Sequence, residues 1–458
     1  MQSTLRAELW DKLHFILGHS TDRMIRGELL YDGLIETGLL KKALLHVTET
    51  HPVLHSSFRD HFLYPYWEIR DYSIDDILTV TLTDDPGQVR DDFMNQVIPA
   101  DCNVQYKAAV INHDGRSLLC VMLNHMCLDG RALHTFFYQI ALCYSRVCEG
   151  LPLPVLETGS RAHSMIYSGL PFSDRIRARL LLRNITRLKE KRTFAYTREG
   201  PSDHLRIMRQ KWEDVAYIKM REAAKRTGFT VNDMLLACYI QALSETCDFP
   251  AEKPLTITCM VDNRRHIKQS ARIGLTNHVG LLQVRIDRYG STIGDTVRRV
   301  HEVTTREKKK RFFGLQGIPL ISLGYVSPFF LVKPGTLRWF VPPVLGFSNL
   351  GIIQEGQLKL GDLRLSDIML VGPSQFKPNI TIYIHTVSST LDFTTAVRGN
   401  EKDREKILQL FAGMKKHMKE LTGESPVITD ESPVITDESP FITDESPFIT
   451  DESPVKEA

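Results

Sequence analysis

The sequence predicts a mixed α/β fold, and three observations carry that prediction. Strand-like and helix-like apolar periodicities interleave from about residue 37 to residue 421. The composition, 42% hydrophobic and 24% charged over 458 residues, is ordinary for a globular chain. At about 150 residues per unit this length supports two or three packed units, and the pattern breaks once, near residues 165–205.

The elements follow in order. In the opening MQSTLRAELWDKLHFILGHS, Arg6, Glu8, Asp11 and Lys12 interrupt the apolar positions, so no secretion signal is expected. Thr37 is the expected N-cap of GLLKKALLHVTE, whose Leu39, Leu40, Ala43, Leu44 and Val47 share one helical face. Residues 106–112 and 117–124 read as strands around the turn HDGR. An apolar helix runs from Arg131 and closes at Gly150. Residues 213–226 form a helix stopped at Gly228, and Thr230 opens another with Asp233 in the capping position. Strands are expected at 254–261, 278–286, 343–349 and 380–397, and a last helix at 401–421. The organisation is therefore a first half at 1–170, a crossover at 171–205, a second half at 206–423 and a tail at 424–458.

Three stretches stand apart. RIRARLLLRNITRLKEKR, residues 175–192, holds eight bases and one acid. It reads as a solvated crossover helix, with a membrane-surface or phosphate-facing role as the alternative. Phe312 to Val332 is 21 residues without a charge. Pro319 and Pro328 argue against a regular spanning helix, and an apolar wall inside the protein is expected instead. From Glu424 the heptad ESPVITD recurs, with Phe for Val in later copies, and ends in ESPVKEA. A proline in every repeat excludes a coiled coil and predicts a disordered acidic tail. That tail carries −9, which leaves +11 on the body of a chain whose net charge is +2. A moderately basic body suits an anionic partner, but no nucleic-acid-binding signature is present. None of the eight cysteines forms a C-x-x-C pair, and several lie in apolar runs. Buried free thiols, a reducing cytoplasmic setting and no metal site are expected.

The chemical signal is Asn124-His125-Met126-Cys127-Leu128-Asp129-Gly130, an H-x-x-x-D-G motif between a strand and a helix. A strand end projects an imidazole from rigid scaffold, and its ordinary pKa near 6.5 suits proton transfer. Gly130 is read as permitting a tight turn. The bland alternative is a core histidine beside an N-capping aspartate. Cys127 lies two residues away in a setting that does not suit a nucleophile, and no G-x-S-x-G elbow is present, which disfavours a hydrolase.

Several segments in order resemble the chloramphenicol-acetyltransferase-like superfamily of CoA-dependent acyltransferases and peptide-synthetase condensation domains. They are LLKKALLHVTETHPVLHSSF, VMLNHMCLDG, VAYIKMREAAKRTGFTVNDMLLACYIQAL, VDNRRHIKQSARIGLTNHVGLLQVRI, GFSNLG and the closing TLDFTTAVRGNEKDREKILQLFAGMKKHMKEL. The resemblance spans roughly residues 5–421 and implies two similar halves forming a pseudo-dimer with a central tunnel. It implies that His125 is the general base and that Asp129 is structural, paired with Arg264 rather than Arg265. Ser348 or Asn349 would face the reacting centre, and Asn277 and Gly280 would shape the other side of the tunnel. Condensation domains usually carry a second histidine where this chain has Asn124, and the DFGWG motif of plant-type acyltransferases is absent. The nearest branch is then a stand-alone alcohol or lipid acyltransferase, monomeric, with acyl-CoA as co-substrate and no bound cofactor. Peripheral membrane contact is compatible with its basic and apolar stretches. A carrier-protein-bound thioester is the alternative donor, and a non-catalytic relative that binds an acyl ligand or partner is the alternative of another class.

Overall fold

Apolar side chains on alternate positions make sheets only where each face finds cover, and here three sheets do so. The computed structural model describes residues 4–179, 190–197, 204–212, 216–315, 327–340 and 342–423. A small sheet joins β1 (Thr4–Arg6), β4 (Tyr66–Ile69) and β3 (Ser56–Arg59). A five-stranded sheet runs β12 (Leu365–Val371), β2 (Met24–Tyr31), β7 (Arg116–Asn124), β6 (Tyr106–His113) and β5 (Leu78–Leu82). A six-stranded sheet runs β10 (Val279–Ile286), β9 (Leu255–Asp262), β11 (Leu345–Ile353), β13 (Ile380–Val387), β14 (Thr390–Arg398) and β8 (Leu205–Trp212).

Helices cover these sheets. On the five-stranded sheet, α2 (Thr37–Thr50) and α4 (Gly130–Cys148) bury Leu40, Leu44, Phe136 and Ile140 in one core. The other face takes Phe93 and Met94 of α3 (Pro86–Met94). Helices α6 (Ala216–Thr227), α7 (Val231–Thr246), α8 (Ile293–Lys308) and α10 (Glu401–Thr422) cover the six-stranded sheet around Leu236, Phe347 and Phe411. Three short helices, α1 (Leu9–Ile16), α5 (Phe172–Arg179) and α9 (Phe329–Trp339), lie outside these two cores. The result is a mixed α/β pseudo-dimer of two sheet-and-helix halves.

The two main sheets share a device. Strand β12 follows β11 of the six-stranded sheet in sequence, yet hydrogen bonds antiparallel to β2 in the other. Met369 and Val371 pack against Tyr383 and Ala396 of the six-stranded sheet. Cover on both faces explains the run IMLV, and Asp367 within the strand is buried against Arg209 at 2.5 Å. Burial raises the Asp367 carboxyl to about 6 despite that guanidinium.

Several readings change. Glu36, not Thr37, caps α2, because its carboxylate accepts the Gly38 N–H at 2.9 Å. The stretch 380–397 is a hairpin that turns at Ser388, whose φ is +58°. Strand β2 escaped notice because MIRGELLY carries charge. Arg26 is nonetheless buried on Asp22 at 2.8 Å, and Gly27 lets Phe137 sit where a Cβ would come within 2.9 Å of its ring. The described part of the basic stretch is helical over 175–179 and not helical over 190–192; residues 180–189 lie outside the described residues. In the uncharged run, Phe313, Leu315 and Phe329 are buried, but Phe330 and Leu331 are over half exposed, so its end is an amphipathic helix rather than a wall. Its middle, 316–326, and the repeat tail lie outside the described residues. Cys148 is exposed, while five of the other cysteines are buried. Among the described residues no helix is long and apolar enough to cross a membrane.

Candidate active site

The H-x-x-x-D-G segment leaves β7 at Asn124 and enters α4 at Gly130, so its five intervening residues form a loop between two buried elements. Such a loop must satisfy its backbone carbonyls or lose stability, and here each one is held from outside or by the loop itself. Asn277 Nδ2 donates to the His125 carbonyl at 2.9 Å and to that of Met126 at 3.2 Å. Arg161 Nη2 donates to the Cys127 carbonyl at 3.3 Å. The Leu128 carbonyl lies 2.9 Å from His125 Nδ1. Asn124, buried, accepts from the Met126 N–H at 3.1 Å and donates to Gln105, so it braces the turn.

The bond to Leu128 fixes the tautomer. A carbonyl only accepts, so Nδ1 carries the proton and Nε2 keeps its lone pair. The half-buried ring stacks on His14 of α1 at 4.3 Å with the planes 26° apart. Burial pushes the His125 pKa below its ordinary value, against the Asp129 carboxylate, the Leu128 carbonyl and Asn277, which pull it up. His14 is held well below its ordinary value, first by burial and then by His125 and Arg23, so it faces His125 neutral.

Asp129 points away from this ring. It caps α4 by accepting the Ala132 N–H at 3.0 Å and takes the His278 N–H at 2.7 Å. Arg264 grips it with two bonds of 2.9 and 3.0 Å and also donates to the Thr276 carbonyl. Burial alone would raise the Asp129 pKa, but Arg264 and the N–H donors turn the net direction downward. Arg265 turns elsewhere and lies 4.9 Å over the Phe313 ring. A second grip runs parallel to the first: Arg161 donates to both oxygens of buried Asp11 and to the Leu275 carbonyl, and Trp67 donates to Asp11 at 2.8 Å.

Glycines set the spacing. Gly130 has no left-handed backbone; its role is space, because a Cβ there would come 2.7 Å from Leu350 of β11. Gly280 sits against the Gly314 carbonyl, 2.3 Å from where a Cβ would be. Gly159 and Gly274 touch backbone to backbone in the bridge that pairs Ser160 with Ile273. That bridge delivers Arg161 from one side and Leu275 to Asn277 from the other.

The structure thus gathers His125, Asp129, Gly130, Arg264 and Asn277. Ser348 is buried on β11, two residues before Leu350; Asn349 is exposed, donates to Asn232 and accepts from the Gly351 N–H. Among the described residues neither is hydrogen-bonded to the loop. Burial pushes the Cys127 thiol well up, which leaves it inert as a nucleophile. The sequence reading missed His14, Arg23, Asp11 and Arg161. Only His14 leaves a trace, sharing the apolar face of Trp10, Leu13 and Leu17. Among the described residues no cluster of His, Cys, Asp or Glu has the makings of a metal site.

Comparison with known proteins defines the class at the level of fold. No family model and no curated protein sequence matches the chain. Solved structures do match over nearly the whole length. The epimerization domain from the third module of tyrocidine synthetase B superposes with a TM-score of 0.66 at 14% identity, over 92% of this chain and 97% of that one. The first condensation domain of the calcium-dependent antibiotic synthetase, in complex with a substrate analogue, gives 0.66 at 16%, over 95% and 100%. TRI3 trichothecene 15-O-acetyltransferase from Fusarium sporotrichioides gives 0.66 at 13%, over 91% and 95%. The chain has the chloramphenicol-acetyltransferase-like fold shared by condensation domains and CoA-dependent acyltransferases.

Proposed function

We propose that this protein is a thioester-dependent acyltransferase that moves an acyl group to an alcohol or amine, with acyl-CoA as donor. The observation that carries the reading is the His125 Nδ1–Leu128 carbonyl bond, because it leaves Nε2 as a base on a loop whose every carbonyl is held. In the first step Nε2 takes the proton of the acceptor O–H or N–H while that atom bonds to the thioester carbonyl carbon. The carbonyl oxygen becomes an oxyanion, for which the Ser348 hydroxyl is the candidate donor. The tetrahedral centre then collapses, the C–S bond breaks, and the imidazolium returns its proton to the leaving thiolate. Positioned base help is worth ~10²–10⁴-fold, and an oxyanion donor about 3–4 kcal/mol. Asp129 and Arg264 hold the loop and take no proton.

The test is thiol release by purified protein from acetyl- and longer-chain acyl-CoA against a panel of alcohols and amines, with His125→Ala as control. Acceptor-dependent release that vanishes in the variant supports the reading. A carrier-bound thioester is the second reading, favoured by the condensation domains among the similar structures. Folded protein that ignores every CoA donor but accepts a pantetheine-linked one would shift the donor to a carrier. Folded protein inert to both would leave a binding role.

A further inference from the structure

Arg23 belongs to two places at once. Its backbone carbonyl accepts the His125 N–H at 2.7 Å. Arg23 also lines a cavity of about 590 Å³ with Phe15, Phe58 and Tyr66, a volume suited to a small-molecule substrate. The other charges of the wall are committed or peripheral. Arg59 pairs with Glu68 at 2.6 Å, Asp60 with Lys333 at 2.6 Å, and Asp101 is exposed. His61 accepts backbone N–H bonds from Leu63 and Tyr64.

Arg23 differs from all of these. Among the described residues its Nε is buried without a hydrogen-bond partner, and Nη1 meets only the Met126 sulfur at 3.8 Å, a weak acceptor. Neighbouring Asp22 is spent on Arg26 and on the N–H groups of Met24 and Ser374. The position is also built. Arg23 has φ of +64°, which a side-chain-bearing residue rarely adopts, and Gly18 lies under the guanidinium, 3.2 Å from Cζ to where a Cβ would stand. Such a planar fork, short of acceptors, matches the two oxygens of a carboxylate or phosphate.

We propose that Arg23 anchors an anionic group, carboxylate or phosphate, of a substrate whose apolar or aromatic body lies against Phe15, Phe58 and Tyr66. That the bound molecule is a substrate rests on the acyl-transfer reading; the anion site does not, and its test needs no turnover. The anion has two sources, a carboxylate on the acceptor or acyl group, or a phosphate of CoA.

Isothermal titration of the full chain and of Arg23→Gly separates them. Glycine suits the +64° backbone, so loss of binding is not loss of fold, and thermal unfolding of both proteins checks this. The probes are 4-phenylbutyrate, its neutral amide, and free CoA. For a carboxylate site, the acid binds at least tenfold tighter than the amide, and Arg23→Gly removes that preference while CoA is unchanged. For a phosphate site, Arg23→Gly weakens CoA at least tenfold while acid and amide bind alike. Acid and amide binding alike, with CoA unaffected by Arg23→Gly, overturns the proposal. Failure of thiol release with these binding results intact would instead overturn the acyl-transfer reading alone.

Discussion

His125 owes its protonation state to its own loop. The Leu128 carbonyl claims the proton on Nδ1, and burial keeps the ring neutral. We therefore expect His125→Ala to fold, with a thermal midpoint lowered modestly because the Leu128 carbonyl loses its partner, and to lose ~10²–10⁴-fold in kcat; a folded, fully active variant would remove the base assignment. Because the folded pKa is lowered, the neutral form that the proposed base requires persists below the ordinary histidine value. The acid limb of kcat/KM should then fall with a midpoint under 6.5, measured alongside circular dichroism so that unfolding is not mistaken for titration. A midpoint at or above 6.5 would contradict the burial argument. The motif was legible at this scale because one loop carries it. His14 and Arg23 were not, because a ring stack and an unmatched guanidinium join residues more than a hundred positions apart.

At the scale of elements, the loop is only as firm as its two grips, Arg264 on Asp129 and Arg161 on the Cys127 carbonyl. Asp129→Ala takes from Arg264 its buried carboxylate, leaving only the exposed Asp262 at 3.1 Å, and takes from α4 its cap. Breaking one side of such a buried pair costs about 3–5 kcal/mol, so chemical denaturation should show a loss of that order, with activity falling along with the fold. An unchanged unfolding midpoint would show that the pair is incidental. The glycines separate by what they meet. A methyl at Gly274 runs into the Gly159 carbonyl at 2.3 Å, backbone against backbone, which cannot move aside. We expect Gly274→Ala to lose at least ~1–3 kcal/mol, the overpacking range, and to misplace Arg161 and Asn277. Gly130→Ala meets only the tip of Leu350, which can rotate, and should cost less than Gly274→Ala when their unfolding midpoints are compared. The reverse order would overturn this account of why each is glycine. The helix start at Thr230 was readable, since a cap and its target are three residues apart. Strands β2 and β12 were not, because they carry buried acids, Glu28 and Asp367, whose partners Arg90 and Arg209 are distant in sequence.

Across the whole molecule, eight of the sixteen histidines have pKa values driven down, each with burial as the largest cause. His134 and His163 are pushed to about 3 and His278 to about 4. The unfolded chain takes up protons near 6.5 where the folded one does not, so the folded state loses stability as pH falls through 6.5. One histidine lowered to 4 alone costs about 3 kcal/mol by pH 4. Urea midpoints should be level above pH 7.5 and drop steadily from pH 6.5 to 5; a flat profile would mean that these rings are hydrated in solution. The sequence by itself determined the class of fold, the Thr230 cap and the H-x-x-x-D-G loop, because periodicity, capping and motif chemistry act over a few residues. Only the tertiary structure decided that β12 crosses to the other sheet, that Arg161 and Arg264 hold the loop, and that Arg23 Nε is buried without a hydrogen-bond partner among the described residues. Those outcomes depend on which distant groups burial brings within hydrogen-bond distance, and local chain chemistry does not encode that distance.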